Sequence, residues 1–133
     1  MALGGISGRV VARIPEGVRL YAVGDIHGCA RLLRNLHELI LEDAYRAAEE
    51  RRIVVYLGDY IDRGPDSRDV IDLAIAGPGE AFECVHLKGN HEAMLLDFLA
   101  GVGDIDLWCQ NGGGATLRSY GVEDGAEPAE LAA

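Results

Sequence analysis

The sequence contains few cysteines and no long hydrophobic run. Its three cysteines, Cys29, Cys84 and Cys109, are odd in number and form no C-x-x-C pair, which argues against a disulfide framework and fits a reducing compartment. No apolar run is long enough to span a bilayer, and residues 1–17 contain no apolar segment of signal-peptide length. We therefore expect a cytoplasmic protein with no membrane partner.

Basic residues are also scarce. The chain has 12 basic and 22 acidic residues, a formal net charge of −10. Because a nucleic-acid backbone requires a basic face, we expect no nucleic-acid partner. A phosphorylated substrate remains compatible, since a bound metal ion can supply positive charge locally. The sequence also lacks the G-x-x-x-x-G-K-[ST] phosphate loop and the G-x-G-x-x-G fingerprint, which disfavours a nucleotide-dependent enzyme.

Short apolar runs alternate with helical patterns along the chain. Its 133 residues, of which 49% are hydrophobic, predict one α/β domain over residues 1–133. Runs of strand length, rich in β-branched or aromatic residues, occupy residues 18–23, 53–57 and 82–87. Helical spacing of apolar residues predicts helices over residues 31–51, 67–76 and 92–100. For the remainder we expect a loop over 106–114, a short helix over 115–120 and a frayed acidic tail over 122–133.

A polar loop punctuated by glycine follows each predicted strand. The loops recur at the spacing of a βαβ unit, in which the strands are parallel and the crossovers right-handed. Ligands of such sheets bind outside the carboxyl ends of the strands. The sequence thus predicts a single site built from three loops. The candidate site residues are Asp25, His27, Asp59, Asp62, Arg63, Asn90 and His91.

The chemistry of these side chains indicates a metal and a phosphate. Carboxylate, amide and imidazole ligands suit divalent ions such as Mn²⁺, Fe²⁺ or Zn²⁺. Asp25 and His27 are two residues apart at a strand end, so both can reach one ion. Asp59 can bridge two ions with its two oxygens, and Asn90 offers a carbonyl oxygen. Arg63 offers a planar fork that matches phosphate oxygens.

The loop sequences GDIHG (24–28), GDYIDRG (58–64) and GNHE (89–92) resemble the signature of the protein serine/threonine phosphatase branch of the calcineurin-like metallophosphoesterases. A fourth segment is similar to bacterial and phage members of this branch. It contains Trp108, Asn-Gly-Gly at 111–113, and Thr116-Leu117 before Tyr120-Gly121. The resemblance covers residues 19–121. It implies a double-sheet α/β/β/α sandwich, of which this chain would form the βαβ half.

The resemblance also implies a metal centre of two divalent ions, with Mn²⁺ expected and Fe or Zn as alternatives. Asp25 and His27 would bind the first ion and Asp59 would bridge both. Asn90 would bind the second ion. The nucleophile would be a metal-bridging hydroxide, made available because bound metal lowers the pKa of water to about 7.

Roles in binding and protonating the substrate follow from the same resemblance. Arg63, Asn90 and His91 would hold the phosphate. His91 would protonate the leaving oxygen as a general acid, and Asp62 would orient it through a hydrogen bond. No covalent phosphoenzyme is expected.

The chain departs from the family in its histidines. Family members take two further histidine ligands and a second phosphate-binding arginine from a C-terminal half, whereas no histidine follows His91 here. His37 and His86 fall within a predicted helix and strand. We therefore expect a C-terminally truncated domain with an incomplete second metal site. Because successive right-handed crossovers place the helices on one face of a sheet, we also expect an uncovered apolar second face.

Three functions follow from this pattern. The first is hydrolysis of phosphomonoesters, with phosphorylated proteins or small phosphoesters as substrates, and a serine/threonine-type protein phosphatase as the expected class. The second is a dinucleoside polyphosphate hydrolase of the same superfamily. The third belongs to another class, a catalytically incomplete fragment that binds one metal or phosphate without turnover.

Several residues outside the predicted metal and phosphate ligands are expected to have structural roles. We expect His37 on the helix surface, and Glu92 at the start of a helix, where the macrodipole favours an acid. Trp108 either lines the substrate groove or shapes a turn. Glycines 24, 28, 58, 64 and 89 are expected to serve tight turns near ligands.

Overall fold

A computed structural model describes residues 12–122, and within that range the chain forms a parallel sheet flanked by helices. The strands are β1 (Val18–Val23), β2 (Arg51–Tyr56) and β3 (Phe82–His86), in spatial order β1-β2-β3. The helices are α1 (Ala30–Arg46), α2 (Ser67–Ala76), α3 (Asn90–Leu99), α4 (Ile105–Gln110) and α5 (Gly113–Ser119). The predicted α/β class and parallel βαβ order are confirmed. Nearly all of the predicted tail, residues 123–133, lies outside the described residues.

The two faces of the sheet have different environments. Val54 and Tyr56 of β2 are 0% exposed, because α1 and α2 cover their face. Alternate residues point to the other face, where Leu20 is 40% and Val85 43% exposed. Since both faces of the sheet are apolar but helices cover only one, the expected uncovered second face is present in this part of the chain.

His37 lies in the core, so the prediction of a surface position is wrong. Its exposed fraction is 6%, and its Nε2 is 2.8 Å from the Tyr56 hydroxyl. Helical spacing from Leu33 to Ile40 places His37 on the buried face of α1, a signal that the sequence already carried. Burial lowers the pKa of His37, because a charged imidazole is poorly solvated there.

We expect acid to destabilise the fold through His37. The pKa of His37 is lower in the folded than in the unfolded chain, so the neutral form stabilises the native state above about pH 6.5, the ordinary value. That stability is lost as the pH falls below this value, since the unfolded chain then binds the proton first. Urea unfolding at pH 8 and pH 5 should show a smaller loss of free energy in His37→Gln than in wild type. Equal losses would contradict the assignment.

The segment before α5 is helical, so the predicted loop over residues 106–114 is wrong. Helix α4 begins after Asp104, whose carboxylate accepts hydrogen bonds from the backbone N–H groups of Asp106 (2.9 Å) and Leu107 (3.2 Å). Such a cap satisfies otherwise unpaired N–H groups at a helix start, and Asp104 before an apolar residue was its sequence signal. The predicted short helix is confirmed as α5. No helix among residues 12–122 is long and apolar enough to cross a membrane.

Candidate active site

The polar loops after β1 and β2 are joined by backbone hydrogen bonds. The N–H groups of Ile26 and His27 both donate to the Asp59 carbonyl, at 2.9 and 3.0 Å. Gly64 N–H donates to the His27 carbonyl at 3.1 Å. A Cβ at Gly28 would lie 2.5 Å from the Gly64 carbonyl oxygen, so this close approach requires glycine.

The glycines of the loops differ in what they are needed for. Gly58 has φ +104° and its backbone packs directly against Gly89, leaving no room for a Cβ. Gly89 in turn packs against the side chain of Asp59. Gly24, the first residue of the first motif, has open space around it and no positive φ. The expectation that all five loop glycines serve tight turns is therefore wrong for Gly24.

Three predicted metal ligands converge at the carboxyl edge of the sheet. Ligand atoms of Asp25, His27 and Asp59 all lie within 4.8 Å of one another. His27 Nδ1 is 2.9 Å from the Ile61 carbonyl oxygen, and because that oxygen can only accept, Nδ1 carries the proton. His27 Nε2 is then the nitrogen with a lone pair, as a metal ligand requires. Two carboxylates and one imidazole fit a divalent ion of the Mn²⁺, Fe²⁺ or Zn²⁺ type.

The loop after β3 brings Asn90 and His91 to the same edge. Asn90 is the first residue of α3 and is exposed. The backbone N–H of His91 donates to Asp59 Oδ1 at 3.1 Å. The start of α3 is therefore hydrogen-bonded to the carboxylate that is predicted to bridge two metal ions.

Arg63 lies between the two site histidines. Its Nη1 is 3.1 Å from His27 Nε2 and its Nη2 is 3.3 Å from His91 Nε2. The two imidazole rings meet edge to face with their centroids 4.7 Å apart. A guanidinium in this position faces the same space as the metal ligands, which is where a phosphoryl oxygen would need a bidentate donor.

The site loops contain residues with left-handed backbone conformations. Positive φ angles occur at His27 (45°), Asp59 (54°), Asp62 (72°) and Arg63 (68°), none of which is glycine. Such conformations are sparsely populated for residues with a side chain and persist only where surrounding contacts fix them. The hydrogen bonds between the loops supply those contacts.

Asp62 lies under His91 in a fully buried polar cluster. Its exposed fraction is 0%, and its carboxylate accepts from His91 Nδ1 (2.7 Å), Trp108 Nε1 (2.8 Å) and the Thr116 hydroxyl (2.6 Å). The Ser67 hydroxyl lies 2.9 Å from that of Thr116. Each of these groups has a partner, as buried polar atoms require.

The structure contradicts both interpretations of Trp108. The indole is 1% exposed and donates to Asp62, so Trp108 neither lines an open groove nor merely shapes a turn. The sequence did not indicate that Thr116 and Ser67 belong to the hydrogen-bonded cluster around Asp62 and His91. For the contact between Trp108 and Asp62, the available signal was the indole N–H, which needs an acceptor when it is buried.

Glu92 makes more contacts than the start of a helix requires. Its carboxylate accepts from the backbone N–H groups of Gly89 (2.9 Å), Asp59 (2.8 Å) and Tyr60 (2.8 Å). Burial, reinforced by the charge of Glu92, raises the pKa of Tyr60 to about 12. The Tyr60 hydroxyl therefore stays protonated and donates to the Leu87 carbonyl at 3.1 Å, joining the second and third loops again.

Comparison with known proteins covers the same part of the chain. The family model described as Calcineurin-like phosphoesterase matches residues 18–127, which include all three loops. Serine/threonine-protein phosphatase 1 of Salmonella typhimurium is 38% identical over 95 residues, which make up 71% of this chain and 38% of that protein. Serine/threonine-protein phosphatase 2 of Escherichia coli is also 38% identical over 95 residues, again 71% of this chain and 38% of the relative.

A third relative carries a different name. The symmetrical bis(5'-nucleosyl)-tetraphosphatase of Methylococcus capsulatus is 40% identical over 83 residues, which make up 62% of this chain and 27% of that protein. The chain therefore spans 38% of the length of the two phosphatases and 27% of the length of the tetraphosphatase.

Proposed function

Because the chain belongs to the calcineurin-like phosphoesterase family, we propose that it hydrolyses phosphomonoesters with the help of bound divalent metal ions. We further propose phosphorylated serine and threonine residues of proteins as its substrates. The observation that carries the proposal is the convergence of Asp25, His27 and Asp59 with the Arg63 guanidinium and the His91 imidazole.

The metal ligands in this proposal come from all three loops. Asp25 and His27 would hold a first ion, Asp59 would contribute to both positions, and Asn90 would contribute to the second. Mn²⁺ is the proposed metal, and Fe or Zn would suit the same ligands. When bound, the ions activate water and neutralise charge that develops on the phosphoryl group.

The remaining residues bind the substrate and move a proton. Arg63 donates its two parallel N–H groups to phosphoryl oxygens, with Asn90 and His91 as further donors. His91 gives a proton to the leaving oxygen, acting through the imidazole nitrogen that faces the site. Asp62 holds His91 Nδ1 at 2.7 Å and so keeps the ring in one orientation.

Wider properties of the protein are part of the same proposal. Residues 1–133 belong to one metallophosphoesterase domain located in the cytoplasm, and its partners are phosphorylated proteins or small phosphoesters. The net charge of −10 supports a partner other than nucleic acid.

Dinucleoside polyphosphate hydrolysis is the second candidate, because the relative from Methylococcus capsulatus is named a tetraphosphatase. We favour the phosphatase since the two relatives of that name align with 71% of this chain, against 62% for the tetraphosphatase. Parallel assays on a phosphoserine peptide and on diadenosine tetraphosphate separate the two candidates. Cleavage of diadenosine tetraphosphate without cleavage of the phosphopeptide would favour the dinucleoside polyphosphate hydrolase over the phosphatase.

The proposal is tested by Mn²⁺-dependent hydrolysis of p-nitrophenyl phosphate, with Asp59→Asn as the variant and Asp97→Asn, an exposed residue of α3, as the matched control. Since loss of an outer contact to a metal ligand already costs about 10–100-fold, loss of Asp59 itself should lower activity at least about 100-fold. The control should keep wild-type activity. A folded chain that binds one Mn²⁺ per molecule without turnover would instead favour the non-catalytic metal-binding fragment.

A further inference from the structure

The Glu92 carboxylate joins the second and third loops of the site. Oε2 accepts from the backbone N–H groups of Gly89 and Asp59, at 2.9 and 2.8 Å, and Oε1 accepts from Tyr60 N–H at 2.8 Å. These lengths are those of good N–H to oxygen hydrogen bonds. Ile61 N–H also donates to Oε1, at the longer distance of 3.4 Å. Both carboxylate oxygens are therefore engaged, and three of the four bonds reach across to a different loop.

The helix start alone does not account for this arrangement. A residue at the third position of a helix caps it through a single bond back to the residue before the helix, which here is the Gly89 bond. The bonds to Asp59 and Tyr60 add nothing to α3 itself. They fix the backbone of the second loop at the point where Asp59 has φ +54°, a conformation that needs outside support.

Asp59 is consequently held at both its backbone and its side chain by the start of α3. Glu92 binds the Asp59 N–H, while the His91 N–H binds Asp59 Oδ1 at 3.1 Å. Gly89 packs against the same carboxylate. A shift of Glu92 would therefore move Asp59 relative to Asp25 and His27, whose ligand atoms lie within 4.8 Å of it.

We infer that Glu92 is a positioning residue for metal binding, which holds Asp59 against the two ligands of the first loop. The inference rests on the proposed function, because it assigns Glu92 a part in the same metal site. Glu92 itself touches neither metal nor substrate in this assignment. Its effect passes through the backbone of the second loop, at Asp59, Tyr60 and Ile61.

The test compares Glu92→Gln with wild type by titration calorimetry with Mn²⁺ and by amide hydrogen exchange of the metal-free chain. Glutamine keeps the size of the side chain but replaces one acceptor oxygen with an NH₂ group, which must then face a backbone N–H. We expect the Mn²⁺ dissociation constant to rise about 10–100-fold and the Asp59 and Tyr60 amides to exchange faster. Glu42→Gln, on the exposed side of α1, should match wild type in both measurements.

A second variant separates positioning from helix capping. Glu92→Asp keeps an acid at the start of α3, where the macrodipole favours it, but its shorter side chain cannot reach the second loop. We expect weakened Mn²⁺ binding in this variant with α3 intact by circular dichroism. Wild-type Mn²⁺ affinity in both variants, with lower unfolding free energy only, would show a structural role and overturn the inference.

Failure of the proposed function gives a different result. In that case wild type itself would bind no Mn²⁺, or Asp59→Asn would bind it as well as wild type does. The exchange measurement needs no metal, so unchanged Asp59 and Tyr60 amides in Glu92→Gln would overturn the inference whatever the outcome for Mn²⁺.

Discussion

Replacing His91 with asparagine is expected to slow the hydrolysis of phenyl phosphate about 10²–10⁴-fold, the usual contribution of a positioned proton donor. The reason is that phenolate is a poor leaving group and needs a proton as it departs. With p-nitrophenyl phosphate the loss should be much smaller, because its leaving group is stable as an anion. The measurement is the ratio of kcat/KM for the two substrates in wild type and variant.

Asp62→Asn provides a second test of proton donation by His91, because Asp62 is the hydrogen-bond partner of that imidazole. The amide oxygen of the substituted side chain can accept from His91 and Trp108, while its NH₂ donates to Thr116, whose hydroxyl then turns toward Ser67. The number of hydrogen bonds is kept and only the negative charge is lost. We expect a smaller loss than in His91→Asn, with the same dependence on leaving group. Equal losses on both substrates in both variants would mean that His91 does not act as the acid.

The second large effect concerns stability. Gly58→Ala places a Cβ against the backbone of Gly89 at a residue with φ +104°. The positive φ costs about 1–2 kcal/mol for a residue with a side chain, and the overlap adds about 1–3 kcal/mol because backbone cannot move aside easily. We expect urea unfolding to show a loss of roughly 3 kcal/mol or more in unfolding free energy.

Gly24→Ala is the matched control for this experiment. Both glycines begin a Gly-Asp motif after a strand, but a Cβ at Gly24 would meet nothing within 4 Å, and the residue has no positive φ. Alanine there should leave stability unchanged or raise it by up to about 1 kcal/mol, since it restricts the unfolded chain. Similar losses in the two variants would refute the account of loop packing.

The sequence predicts the fold well where periodicity and loop chemistry agree. The ten residues of α2 and the six of β1 match their predicted bounds, because each is framed by glycine or polar residues that stop the pattern. Helix α1 was predicted too long, since its polar end and the start of β2 share no such boundary. Helix α4 was missed because its six residues are too few for a helical period to stand out.

For the site, the sequence gives the residues but not what supports them. The strand ends place Asp25, His27 and Asp59 together, since parallel strands share one carboxyl edge. Trp108 and Glu92 form hydrogen bonds with residues that are 46 and up to 33 positions away in the sequence. Nothing in the sequence next to Trp108 or Glu92 indicates which residue that partner is. Contacts of that kind depend on how the helices pack onto the loops, which a single sequence does not encode in any short pattern.

The left-handed residues of the loops have a consequence for directed evolution. Glycine adopts such backbone angles freely, whereas His27 and Arg63 do so at a cost of about 1 kcal/mol or more each. A library selected for heat resistance alone should therefore accumulate glycine at these two positions. The same substitutions remove an imidazole and a guanidinium from the site, so such a selection would enrich robust but inactive chains unless turnover is selected as well.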